Sequence, residues 1–274
     1  MIEFKNVEFS YEKGSPILKD INLKLGDTSE EVIGILGPNG AGKSTMFLNL
    51  VGMLKPTKGE ILVDGQPIKY SKKGLNDLRK KIGIVFQNSD QQIFYSIVQD
   101  DITFALHNLG VEESIIQERL QQVLIDLDIV KLKDRPVQYL SGGQKKRVAI
   151  AGILILNSEW ILLDEPTAGL DPDGKQRMIK LIALLKAKGQ KIIVSSHDMD
   201  FMYEVCDHFH ILQDGQVVKS GTKDSVFKDE DFLKSCKLEQ PWLVRIHEKL
   251  GMPLFDNEQE FNRFDNSAQT TTEK

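Results

Sequence analysis

The sequence predicts an α/β fold with a mixed sheet at its core, an N-terminal antiparallel β subdomain, a helical insertion and a small C-terminal helical extension. Three observations carry this. The apolar run Val32-Ile33-Gly34-Ile35-Leu36 leads through Gly37-Pro38-Asn39-Gly40-Ala41-Gly42-Lys43-Ser44-Thr45 into a second apolar run, Met46 to Val51, which is the order strand, loop, helix. Further apolar strands at 82–86, 160–165 and 191–198 each end in polar residues. Between them, residues 97–135 change to helical spacing.

The loop from Gly37 to Thr45 has the form G-x-x-x-x-G-K-[ST] of the P-loop, which makes the core a P-loop NTPase core. Gly37, Gly40 and Gly42 lack a β-carbon, so the backbone can curl around a phosphate with its N–H groups inward. The following helix adds the positive end of its dipole. Lys43 is the phosphate-seeking cation, and the Ser44 hydroxyl can ligate magnesium, an ion that prefers oxygen.

Ahead of the loop, residues 2–9 and 17–25 read as an antiparallel ribbon turning at Glu12 to Pro16, with Ile21, Leu23 and Leu25 alternating. Tyr11 stands at that turn, where an aromatic ring can stack on adenine. After it, residues 59–65 form a short strand ending in the Asp64-Gly65 turn. The strand at 82–86 ends at Gln87, where α/β sheets place their ligands, so Gln87 could reach a metal or a water. In the helical stretch, Ile116, Leu120, Val123, Leu124 and Leu127 mark one buried face. The insertion is placed at about 97–158.

Leu140-Ser141-Gly142-Gly143-Gln144 runs directly into Lys145-Lys146-Arg147 and an apolar helix. Ser141 reads as an N-cap, and the two glycines as a second anion nest. One nucleotide rarely needs two. The strand at 160–165 ends in Asp164 and Glu165; alternation along a strand turns the two acids apart. Asp164 suits a magnesium shell and Glu165 suits polarising a water. Asp171 and Pro172 precede a helix with Met178, Leu181, Ile182 and Leu185 on one face and Gly189 past its end. His197 lies just beyond the tip of the strand at 191–198, beside the other strand tips, where a γ-phosphate contact is expected. A hairpin at 208–220, turning at Asp214-Gly215, closes the main domain, set at 1–221.

Residues 222–261 carry Phe227, Phe232, Leu233, Trp242, Leu243, Ile246 and Leu250. These suffice for two or three small helices but not for an independent core. The polar residues 262–274 are expected to be disordered.

At 274 residues, 41% hydrophobic and 27% charged, the chain has the composition of a soluble globular protein. Its net charge of -5 argues against a nucleic-acid binder. The longest apolar stretch, Val148 to Leu156, is about half the roughly 20 residues a spanning helix needs. Nothing at Met1 reads as a signal peptide. Cys206 and Cys236 lack zinc spacing and read as reduced structural thiols.

Tyr11, the P-loop, Gln87, Leu140 to Gln144, Asp164-Glu165, Asp171 and His197, read in that order over residues 2–221, resemble the ATP-binding cassette ATPases. The resemblance implies ATP and Mg2+ as ligands. It places Tyr11 on adenine and the loop residues Gly37, Pro38, Asn39, Gly40, Ala41, Gly42, Lys43, Ser44 and Thr45 around the phosphates. Ser44, Gln87 and Asp164 would serve the metal. Glu165 would be the base, with His197, Lys43 and Gln87 completing catalysis. It also explains the surplus glycines. Two cassettes of that family pair head to tail, so Ser141, Gly142, Gly143 and Gln144 would meet the γ-phosphate held by the opposite P-loop. Asp171 would lie on the same interface. Val148 and Ala149 also fit, and no departure marks a dead site.

A finer likeness is to the energy-coupling factor ATPases, including the cobalt-import type. Phe86 to Phe94 resembles their extended loop, although Ser89 stands where they often have proline. The stretches Gln240-Pro241-Trp242 and Lys249 to Pro253 resemble their C-terminal extension. The likeness implies an importer subunit on the cytoplasmic face of the cell membrane, pairing with itself or a paralogue. Its other partners would be a transmembrane coupling subunit and a substrate-binding membrane subunit, with no nucleic acid. Other readings are a soluble cassette ATPase of DNA repair or translation, the ATPase of another transporter class, or a non-hydrolysing regulatory subunit. The chain lacks the heptads, zinc motifs or tandem cassette of the first, and intact Glu165 and His197 disfavour the last.

Overall fold

The computed structural model describes residues 1–26 and 32–264. The antiparallel ribbon comprises β1 (Ile2–Ser10) and β2 (Pro16–Leu25), followed by β3 (Val32–Leu36) and α1 (Lys43–Leu50). Next come β4 (Lys58–Val63), β5 (Gln66–Pro67), α2 (Lys72–Lys81) and β6 (Ile82–Val85). The insertion contains α3 (Val98–Asn108), α4 (Glu113–Asp126) and α5 (Gly142–Leu154). The chain continues through β7 (Trp160–Asp164), α6 (Pro172–Ala187), β8 (Lys191–Ser196), α7 (Met199–Val205), β9 (His208–Gln213) and β10 (Gln216–Thr222). It closes with α8 (Lys223–Phe227), α9 (Glu230–Ser235), α10 (Trp242–Leu250) and α11 (Glu258–Arg263).

Two sheets result. One is antiparallel in the order β2-β1-β4-β5; the other runs β10-β9-β3-β8-β7-β6 and is parallel except for β10. In the second sheet, side chains alternate between two cores, as a period of two requires. Val32, Ile161, Leu163, Ile192 and Val194 face the helices of the insertion and α6 and α7. Ile33, Ile35, Trp160, Leu162 and Ile193 face α1 and the antiparallel sheet. The parallel neighbours β3, β8, β7 and β6 bring the loops that follow them to one edge, and this edge carries the site.

The sequence reading misses two helices. Only Leu78 of α2 is buried, so that helix has no apolar stripe; Ser71 caps it by accepting from Gly74 N–H at 3.2 Å. At seven residues α7 is too short to display a period, and Asp198 caps it from Phe201 N–H at 3.0 Å.

The C-terminal segment forms four short helices, not two or three. Phe227, Leu233, Leu243 and Phe255 join the core that the insertion shares with the sheet. The disordered tail placed at 262–274 is corrected at its start, because Asn262 and Arg263 complete α11. Phe261 packs edge-on against Trp242 and Phe255, and Phe264 against Phe255, with centroids 5.0 to 5.5 Å apart. That aromatic burial offsets the polarity of the neighbouring residues. Residues 265–274 lie outside the described residues.

Candidate active site

Leu36 ends β3 at the P-loop. Gly42 takes φ 106, and a Cβ there would lie 3.0 Å from Leu18 Cδ2. A Cβ on Gly37 would collide with the Leu212 carbonyl. The loop conformation therefore excludes side chains at both positions. No side chain caps α1, and its first turn holds no acidic residue. Its leading N–H groups thus lack the partner that a helix start usually finds. Pro38 is half-buried, Asn39, Gly40 and Ser44 are exposed, and Ala41, Gly42, Lys43 and Thr45 are buried. Tyr11 is 61% exposed, with its hydroxyl 3.4 Å from Thr45 Oγ1 and its ring edge-on to Phe9.

Lys43 folds back into the loop. Its ammonium donates to the carbonyls of Gly37 at 2.6 Å and Pro38 at 3.3 Å, and lies 3.7 Å from Glu165 Oε1. Burial pushes it below the usual lysine range, while Glu165 and Asp164 pull it back up.

Asp164 and Glu165 are both buried at the tip of β7. Register pairs Asp164 with Ser195, whose hydroxyl donates to the Asp164 carboxylate. Glu165 leaves the strand in the left-handed region at φ 48. Its Oε2 accepts from Ser196 Oγ at 2.8 Å and its Oε1 lies 2.9 Å from His197 Nδ1. With the carboxylate ionised, Nδ1 carries the proton and Nε2 is left as an acceptor on a half-exposed ring. The structure thus joins Lys43, Asp164, Glu165 and His197 around one point, as the sequence places them. The ammonium and the uncapped helix start can bind an anion, and the carboxylate held beside them can accept a proton.

Gln87 is exposed and forms no hydrogen bond among the described residues. Gln92 instead shapes its loop, accepting from Phe86 N–H at 2.8 Å and donating to the Ile84 carbonyl at 3.0 Å.

Ser141 to Gln144 stand apart from these groups. Ser141 caps α5 reciprocally with Gln144: Gln144 N–H donates to Ser141 Oγ at 3.3 Å, and Ser141 N–H to Gln144 Oε1 at 3.0 Å. Gly142 and Gly143 form its first turn and neither takes a left-handed φ, so the second nest read from the sequence is a capped helix start. Ser141, Gly143 and Gln144 line a cleft of about 530 Å³ with Gly169, Leu170 and Asp171. Asp171 itself caps α6, accepting from Gly174 N–H at 2.7 Å.

Several contributors escaped the sequence reading. Ser195 and Ser196 are two serines of a buried strand, a polar anomaly that could have flagged them. Lys237 and Arg245, from the C-terminal segment, line a cleft of about 390 Å³ with Pro38, Asn39 and His197. Lys146 is buried, with its ammonium 3.1 Å from the Ala168 carbonyl and 3.5 Å from that of Glu165. No sequence signal distinguishes Lys237 and Arg245.

Magnesium fits the donor set: the Ser44 hydroxyl, the Asp164 carboxylate and the Gln87 amide are all oxygen ligands. Among the described residues no group of three His, Cys, Asp or Glu could hold a metal by itself, so phosphate oxygens would have to complete the shell. No helix among them is long and apolar enough to cross a membrane.

The ABC transporter family model matches residues 18–168. The cobalt import ATP-binding protein CbiO of Salmonella typhimurium is 45% identical, covering 95% of each chain. The energy-coupling factor transporter ATP-binding protein EcfA of Methanocaldococcus jannaschii is 44% identical over 92% of this chain and 89% of its own. Among solved structures, cbiO1 of Clostridium perfringens, described as part of the cbiONQ transporter complex, superposes with a TM-score of 0.77. It is 40% identical, covering 92% of this chain and 98% of its own. The dimeric cassette MJ0796, bound to ADP and phosphate, gives 0.73 at 29% identity over 81% and 98%.

Proposed function

The chain belongs to the ABC transporter ATPases, close to the CbiO and EcfA ATP-binding subunits, and from that premise we propose that it powers an energy-coupling factor importer for cobalt or another micronutrient. It would work at the cytoplasmic face of the membrane. Two copies, or this chain and a paralogue, close on ATP and open after hydrolysis, moving a transmembrane coupling subunit beside a substrate-binding membrane subunit. The domain division at about 221, with the helical insertion at about 97–158, belongs to the same reading.

In the site, the γ-phosphate draws the Lys43 ammonium away from the Gly37 and Pro38 carbonyls. Tyr11 stacks on adenine. Ser44, Gln87 and Asp164, together with phosphate oxygens, would hold magnesium, which would supply charge neutralisation there. Glu165 takes the proton of the attacking water as its oxygen bonds to the γ-phosphorus. The bond to the β-phosphate breaks, with its electron pair leaving on ADP. His197, held by Glu165 at Nδ1, would donate to the γ-phosphate from Nε2 once that nitrogen is also protonated. Ser141 to Gln144 and Asp171 meet the nucleotide of the opposite subunit, and closure assembles both halves.

The observation that carries this reading is the separation of the two halves. Lys43, Glu165 and His197 converge in one place, while Ser141, Gly143 and Gln144 open onto a different cleft. Glu165→Gln is expected to lower turnover by about 10²–10⁴-fold, the usual weight of a general base, with ATP binding intact. Turnover at the unmodified rate would refute the assignment of the base. Ser141→Arg should block hydrolysis without weakening ATP binding to the isolated chain, and normal turnover would count against the shared site. Membrane proteins that copurify with the chain test the importer class.

A further inference from the structure

The three cations that follow the Ser141 cap fan out around the start of α5, because successive helical residues point about 100° apart. Lys145 donates to Asp90 at 3.1 Å, in the loop beyond Gln87. Arg147 donates to the carbonyls of Leu127 at 3.1 Å and Asp128 at 3.0 Å. Lys146, only 4% exposed, points inward to the carbonyls of Glu165 and Ala168. Burial pushes this ammonium below the usual lysine range, against the pull of the Glu165 and Asp90 charges. A buried cation is costly unless its donors are satisfied, and here both acceptors belong to one loop.

That loop needs holding. At φ 48, Glu165 occupies a region that a residue with a side chain keeps only when its surroundings over-determine it. Its N–H donates to the Ser195 carbonyl at 2.9 Å, and its carbonyl accepts from Ala168 N–H at 3.1 Å as well as from Lys146. One side of the residue is therefore fixed by β8 and the other by α5.

We infer that Lys146 is a positioning residue: it ties the helix that begins at Ser141 to the Glu165 loop of the same subunit, so that a nucleotide arriving on Ser141 and Gly143 from the opposite subunit sets this subunit's carboxylate. The inference rests on the shared site proposed above, and Lys146 lines the cleft of Ser141, Gly143 and Gln144 with its ammonium turned away to the carbonyls of Glu165 and Ala168. No change in ATP affinity is expected from its loss, because the P-loop contacts are made elsewhere.

The test uses Lys146→Met, which keeps the length but removes the donors, and Lys146→Gln, which keeps a donor. Both are measured on the full-length chain in its membrane complex. Lys146→Met should lower kcat by about 10- to 100-fold, the cost of a misplacement near 1 Å. KM and the ATP affinity of the isolated chain should stay within about twofold, and the melting temperature should not fall. Lys146→Gln should recover most of kcat. A kcat for Lys146→Met within about twofold of the parent overturns the inference. So does a loss that Lys146→Gln does not repair, or one matched by an equal loss of ATP affinity. Ser141→Arg is run in parallel. If it abolishes turnover while Lys146→Met does not, this inference falls and the shared site stands. If turnover survives Ser141→Arg, the shared site falls and takes the coupling with it.

Discussion

The two glycine-rich turns, Gly37 to Thr45 and Ser141 to Gln144, share a composition and differ in what demands it. In the first, the chain itself requires the glycines: Gly42 sits at φ 106 against Leu18, and Gly37 has no room for a Cβ beside Leu212. In the second, among the described residues outside the helix's own backbone, nothing lies within 4 Å of a Cβ at Gly142, and Gly143 would meet Leu170 Cδ2 at 3.7 Å. Both have helical backbone, where glycine is a poor choice. Their helix starts differ in the same sense. The first helix is left uncapped, with a buried ammonium waiting behind it, while the second satisfies its own N–H groups through Ser141 and Gln144. A glycine that its own fold does not need points to something outside the fold that comes close. The first turn owes its glycines to its own chain, and under the proposed function the second would be half of a contact.

Ser141→Asp is the strongest way to break that comparison. Aspartate caps a helix about as well as serine, so the melting temperature should hold. The new charge would face a phosphate across the interface, and at about 4 Å and an effective dielectric near 20 this repulsion is about 4 kcal/mol. Turnover should fall by about 10³-fold with ATP binding to the isolated chain unchanged. Retained turnover would return Ser141 to a purely capping role.

On the P-loop side the expected effect is smaller and appears in stability. Gly42→Ala forces a side chain into φ 106 and against Leu18, which should cost about 1–3 kcal/mol. Denaturant unfolding without nucleotide would detect it, and unchanged stability would show that the glycine serves the ligand alone.

The sequence makes the first turn legible because its motif, flanking strand and helix are all local. The face of α4 is legible for the same reason: Ile116, Leu120, Val123, Leu124 and Leu127 recur at helical spacing, and all are buried. The positions of Asp164, Glu165 and His197 follow from strand tips that parallel pairing places side by side. What escapes depends on distant packing. Nothing near Lys146 in the sequence indicates that a lysine among Lys145-Lys146-Arg147 is buried while its neighbours are not. The aromatic contacts that extend order through Phe264 join residues 242, 255, 261 and 264, too irregular in spacing to form a stripe. The left-handed turn at Glu165 is equally hidden, since it opposes the local preference of a glutamate.

The smallest expected effect is also the one that sharpens the comparison most. At Gly142→Ala a methyl enters open space on helical backbone, so the isolated chain should gain about 0.4–1 kcal/mol by losing freedom in its unfolded state. If the second turn meets only solvent, the variant is simply a slightly more stable ATPase. If a phosphate from the opposite subunit approaches that backbone, the same methyl obstructs it and turnover should drop by about tenfold or more, as a displacement near 1 Å can cause. A gain in stability together with a loss of turnover has no explanation within one chain. Stability and turnover that stay level or rise together would place the requirement for glycine elsewhere.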